Sequence, residues 1–147
     1  MILDIIFDPD KLIKEIEREN AAIIKLANAA IKESGYLVAN TAKKAIAKGG
    51  RSGRFYKRGK KVHQASAPGE YPKTDRGGLV SSIKVSIYPF MAIVGSDLKY
   101  SRYLEKGTEK NGSVLMEARP WLQPSFDVNK AKIANILDSA IAKALSR

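Results

Sequence analysis

The run Ile83-Lys84-Val85-Ser86-Ile87-Tyr88-Pro89-Phe90-Met91-Ala92-Ile93-Val94-Gly95 decides the fold. Its first five residues alternate strictly between apolar and polar, the period of a strand with one buried face. Tyr88-Pro89-Phe90 can turn, and Met91 to Gly95 continues as a partner strand, so the run predicts a half-buried antiparallel hairpin. Upstream, Leu12, Ile16, Ile23, Ala27, Ala30, Ile31, Leu37, Val38, Thr41 and Ala45 recur at three- and four-residue steps with Lys and Glu between them. That spacing predicts a long amphipathic helix ending at Gly49-Gly50. Downstream, Lys99 to Lys106 reads as a short helix and Gly107 to Gly112 as a loop. Ser125 to Leu145 reads as a second amphipathic helix, with Ile133, Leu137, Ala140, Ile141 and Ala144 on one stripe. At the far end, Ile2 to Phe7 is a short apolar run closed by Asp8-Pro9-Asp10, a first strand followed by a helix start. The order predicts an α+β fold in one domain, 1–147, with the long N-terminal helix and the C-terminal helix packed on a small antiparallel sheet.

Two features of the long helix carry expectations. A glycine in a helix interior costs about 1 kcal/mol against alanine, so Ser34-Gly35 predicts either a bend or close approach by another element. A continuous helix of roughly 38 residues would make a rod of nearly 60 Å. That exceeds the ~13 to 15 Å radius of gyration of a compact domain of this size. The mismatch predicts that part of the rod is covered by a neighbouring subunit.

Charge is concentrated in one place. The chain has 26 basic and 15 acidic residues and a formal net charge of +11. Nine of the bases fall among the nineteen residues from Lys43 to Lys61, and no Asp or Glu occurs between Glu33 and Glu70. Without that stretch, 17 bases face 15 acids. The protein is therefore close to neutral apart from a long basic, glycine-rich loop expected at about 49–78, with Lys48 just before it and Arg51, Arg54, Lys57, Arg58, Lys60 and Lys61 on it. Such a segment predicts a polyanion or an acidic partner surface; the alternative is a solvated, disordered excursion. Phe55 and Tyr56 lie between the cations, a mixture suited to stacking beside phosphate contacts or to anchoring the segment on the domain. No recognition helix, zinc finger or aromatic sheet motif accompanies them, which argues against sequence-specific reading.

Signals for catalysis are sparse. The chain has no cysteine, which removes disulfides, thiolate metal sites and cysteine nucleophiles. The single histidine, His63, sits among Lys60, Lys61 and Gln64 with no acid nearby in sequence to orient it. Ser66, in Ala65-Ser66-Ala67, lacks the glycines of a nucleophile elbow, and Glu15, Glu17 and Glu19 diverge around a helix rather than converge on a metal. No phosphate-loop or dinucleotide pattern is present. The expectation is a non-enzyme without cofactor or metal. The N-terminus lacks a basic, cleavable signal and no apolar run approaches the ~18 residues of a membrane span, so a cytoplasmic protein without membrane attachment is expected unless it enters an assembly.

Two separated blocks add to this reading. The first, Ala65-Ser66-Ala67-Pro68-Gly69-Glu70-Tyr71-Pro72-Lys73-Thr74-Asp75-Arg76-Gly77-Gly78-Leu79-Val80-Ser81-Ser82-Ile83, has prolines, Asp75, Gly77 and Leu79 at fixed offsets. The second joins Tyr100, Tyr103, Glu105, Gly107 and Thr108 to Met116, Ala118, Arg119, Pro120, Leu122 and Pro124, with Trp121 between the last prolines. In order and spacing they resemble the head-tail joining, or putative tail-component, family of tailed bacteriophages, typified by the tenth gene product of a lambdoid phage. Lys106 departs from the aromatic usual between the Glu and the Gly, and Arg76 from a common Thr. With the flanking helices, the resemblance covers nearly the whole chain. It implies a non-enzymatic virion protein that forms a homo-oligomeric ring at the neck or upper tail. The partners implied are connector, head-completion and tail proteins, with transient contact to the passing DNA. It also implies assembly roles for Pro68, Gly69, Pro72, Asp75 and the other motif residues. On the residues themselves, Trp121 and Leu104 fit a domain core or a subunit interface equally well.

Overall fold

The computed structural model describes residues 2–6 and 21–146, residues 2–6 as backbone only. The part of the long helix expected before residue 21, with Leu12 and Ile16, lies outside them. The elements are β1 (Ile2–Ile6), α1 (Ala21–Lys48), β2 (Phe55–Arg58), β3 (Lys61–Gln64), α2 (Gly78–Ser82), β4 (Ile83–Tyr88), β5 (Met91–Ser96), α3 (Lys99–Lys106), β6 (Thr108–Lys110), β7 (Ser113–Met116), α4 (Gln123–Asp127) and α5 (Lys130–Leu145). The fold is α+β, with the main sheet ordered β1-β5-β4 and antiparallel throughout.

The hairpin read from alternation is present in register, Val85 opposite Val94 and Tyr88 opposite Met91. Its turn is Pro89-Phe90, with Phe90 at φ 56 and its N–H donated to Asn28 Oδ1 of α1 at 2.7 Å. The first strand also forms, pairing Ile2 with Gly95 and Ile6 with Met91. Ile83, Ala92 and Val94 point one way and are buried, while Lys84, Ser86 and Tyr88 point the other and are exposed. This is the two-residue period of a sheet with one covered face.

Helix α1 covers that face and runs unbroken through Ser34-Gly35. Of the two outcomes expected there, close approach is the one found. A β-carbon at position 35 would stand 2.9 Å from the Ala92 β-carbon and 3.1 Å from Val85 Cγ1. The Ser34 hydroxyl, buried alongside, is satisfied by the Ala30 carbonyl at 2.8 Å. On its other side α1 lies against α5, and the two run antiparallel: Ile23 packs with Ala144 at one end, and Asn129 Nδ2 donates to Thr41 Oγ1 at 2.9 Å at the other.

This arrangement corrects the subunit argument over the described length. The 28 residues of α1 span about 42 Å, and buried side chains recur from Ile23 to Ile46 against the chain's own sheet and C-terminal helices. No neighbour is needed to cover that stretch. The C-terminal helix also differs from expectation. It is two pieces, α4 and α5, broken at Val128 and Asn129, where Asn129 Nδ2 donates to the Ser125 carbonyl at 2.8 Å as well as to Thr41. The core joins Val38, Ala42 and Ile46 of α1 to Leu79, Ile83, Val94, Trp121, Leu122 and Ile133.

Because a side chain at position 35 has nowhere to go, Gly35→Val should lower unfolding free energy by about 2 to 3 kcal/mol despite relieving the helix of a glycine. Ala92→Gly in the same chain should recover part of the loss, a coupling readable in a urea-denaturation double-mutant cycle. An unchanged midpoint in Gly35→Val would mean the sheet does not lie where described.

A cationic hairpin clasped to the core

The basic excursion is not a structureless loop. Phe55–Arg58 and Lys61–Gln64 pair antiparallel around a two-residue turn, Gly59-Lys60, with Phe55 opposite Gln64 and Arg58 opposite Lys61. Charge hides this strand pair from a sequence reading, since cations occupy positions where alternation would otherwise show. The pleat divides the hairpin. Tyr56, Arg58 and His63 turn toward the body, where they line a cavity, while Phe55, Lys57 and Val62 turn outward. Phe55 is 71% exposed and Val62 67%.

Asp75 ties the inward face down. Its carboxylate pairs with Arg58 and stands 3.6 Å from His63 Nδ1. No acid lies near His63 in sequence, and the fold brings one, Asp75, from twelve residues along the chain to within 3.6 Å of it. Tyr56 stacks on the His63 ring, centroids 5.6 Å apart and planes 23° from parallel, so this aromatic serves as an anchor. Arg58 belongs to the tether and its charge is matched. Arg51, Arg54, Lys57, Lys60 and Lys61 are exposed and have no acidic partner within salt-bridge distance among the described residues. Lys48, in the last turn of α1, sits where a cation is favoured by the helix dipole.

The stem of the excursion is held by Glu70. Its carboxylate accepts the Ser52 hydroxyl at 2.6 Å and the Ala67 N–H at 2.8 Å, and these bonds, the hydroxyl first, hold its pKa below the ordinary carboxylate range. The sign follows from linkage: the stem gains this support above the ordinary range and loses it as pH falls through the lowered value.

The two motif blocks converge. The Gly69 N–H donates to the Ala118 carbonyl at 2.9 Å, and Arg119 Nε donates to the Ser66 carbonyl at 3.0 Å. Within the second block, Glu105 is 6% exposed and its carboxylate accepts three consecutive backbone N–H groups, Trp121 at 2.7 Å, Leu122 at 2.9 Å and Gln123 at 3.0 Å. These are donors at the start of α4 that the helix itself leaves unpaired. Trp121 is fully buried and its indole N–H reaches the Ser101 carbonyl at 3.2 Å, which places it in the core. Leu122 is buried beside it, Pro124 lies in the first turn of α4, and Pro120 is half-buried. Gly107 follows α3 at φ 73, and a β-carbon there would stand 2.6 Å from the Met116 carbonyl oxygen. Thr108 then opens β6, and the expected loop is a third hairpin turning at Asn111-Gly112, both at positive φ. That dipeptide is a strong hairpin signal. Tyr100 and Tyr103 are exposed, Pro72 and Leu79 buried, and Pro68 exposed beside a groove that also borders Val114 and Leu115.

Most of the motif residues thus build the scaffold under the hairpin. Among the described residues no group of three or more His, Cys, Asp or Glu could hold a metal ion, and no helix is long and apolar enough to cross a membrane.

Glu105→Gln keeps the size but offers one acceptor atom and an amide donor where three N–H groups point. It should cost about 2 to 4 kcal/mol of stability, followed by the fluorescence of the single tryptophan, Trp121, in urea. Wild-type stability would show the clasp to be dispensable. No protein-family model, curated protein or solved structure matches the chain.

Proposed function

We propose that this chain is a structural, non-catalytic protein of a tailed-phage virion, forming a homo-oligomeric ring at the head-tail junction through which DNA passes. The observation that carries the reading is the cationic hairpin: folded, fixed to the body through Asp75, and bearing five exposed bases, Arg51 and Arg54 on its stem with Lys57, Lys60 and Lys61, without an acidic partner among the described residues. A ring would repeat that charge around one axis, toward the DNA channel or an acidic face of the next ring. The resemblance of the two motif blocks to a neck and tail-completion family supports the same role. So does the use of those blocks as one clasp, because a family can keep such a scaffold while varying the surfaces it presents. The partners of this reading are further copies of the chain, the connector or head-completion and tail proteins on either side, and DNA in transit. Its location is the neck or upper tail, reached from the host cytoplasm.

A second reading has one observation in its favour. Phe55, 71% exposed beside Arg54 and Lys57, is placed for stacking next to phosphate contacts. On that reading the chain is a stand-alone, non-specific nucleic-acid-binding protein. Electron micrographs of the concentrated protein should show closed annuli with an open lumen. Dispersed monomers that bind duplex DNA, with affinity falling steeply as salt rises, would select the second reading.

A further inference from the structure

Where the hairpin leans on the body it leaves an open cavity of about 460 Å³. Its floor is apolar: Ile46 and Leu79 are buried core residues, and Leu104 packs against the same core. Tyr56 and Tyr100 stand in its walls. The rim is cationic. Among the described residues Asp75 is the only carboxylate lining the cavity, and it is already engaged by Arg58 and faces His63. Arg119 is turned to the Ser66 and Glu117 carbonyls. Lys73 and Arg76 remain, exposed and without an acidic partner among the described residues.

An apolar floor under an unmatched cationic rim is complementary to an apolar body flanked by negative charge. Nucleic-acid phosphates use the rim but leave the floor empty, whereas an aliphatic or aromatic side chain fills it and neighbouring carboxylates reach the rim. We propose that this cavity is the docking site for an acidic segment of a partner protein, anchored by one large apolar side chain between carboxylates. The inference rests on the assembly reading and names the chemistry of the partner. It also gives the Asp75 tether a purpose: by pairing with Arg58 beside His63, Asp75 fixes the hairpin wall of the cavity and leaves Lys73 and Arg76 to the incoming segment.

The test uses the full chain and the synthetic peptide Glu-Asp-Leu-Trp-Asp-Glu, with an analogue whose acids are replaced by their amides. The acidic peptide should bind, shift the imidazole resonances of His63, and weaken by about tenfold or more in Lys73→Glu/Arg76→Glu and in the amide analogue. Those two substitutions are at exposed positions, and unchanged thermal unfolding will show the fold intact. Absence of peptide binding, binding indifferent to the double substitution, or displacement of the peptide by short duplex DNA overturns the proposal, the last in favour of a nucleic-acid site. Micrographs of the same samples separate the two readings: annuli without peptide binding reject the cavity alone, and peptide binding without annuli rejects the ring alone.

Discussion

A carboxylate taken out of water needs compensation, and Glu105 finds it in three backbone N–H groups that would themselves be unpaired at the start of α4. Each side removes the other's cost of burial. The consequence spreads outward through the chain. With Glu105 fixed on α3, Trp121 is seated in the core beneath the Ser101 carbonyl, and Leu122 joins α1, Leu79 and Ile133 in one cluster. The strand of chain leading into the clasp is pinned as well, since the Arg119 N–H donates to the Leu104 carbonyl at 2.6 Å. From there the Arg119 side chain reaches Ser66, at the foot of the basic hairpin. A single carboxylate therefore sets the platform on which the hairpin stands.

The hairpin itself is a liability without that platform. A two-stranded ribbon is marginal in water, and this one repels itself through neighbouring cations. Its stability comes from the ends and one face: Glu70 across the stem, Asp75 against Arg58, and Tyr56 stacked on His63. Those contacts use one of its cations and leave the others exposed, without an acidic partner among the described residues. A protein that gained nothing from the charge would be more stable without it, and this asymmetry is the physical basis for reading the hairpin as a surface for something else.

What could be read from the residues depended on whether the determining contact was local. Alternation in Ile83–Ile87 and the periodicity of α1 are local, and both elements formed. Gly35 is informative because a glycine in a helix interior has few explanations, and of a bend or a close approach the fold shows the second, with Ala92 as the neighbour. Asn111-Gly112 is an equally local turn signal, but the strands it joins are only three and four residues long, too short to show a period. The Asp75–His63 pair, the use of Glu105 as a cap and the break between α4 and α5 depend on groups brought together by folding, and spacing alone does not encode them. Over residues 21–48 the length of α1 needs no neighbouring subunit for the same kind of reason: α5, which lies along the helix, is brought there by folding.

The proposed role requires that the cations be presented by a folded, tethered hairpin rather than by a solvated excursion. Amide hydrogen exchange across residues 55–64 measures this most directly. Slow exchange at the paired amides of β2 and β3, lost on Asp75→Asn, is the result expected. Exchange at the rate of an unstructured peptide throughout the segment in the wild-type chain would contradict it.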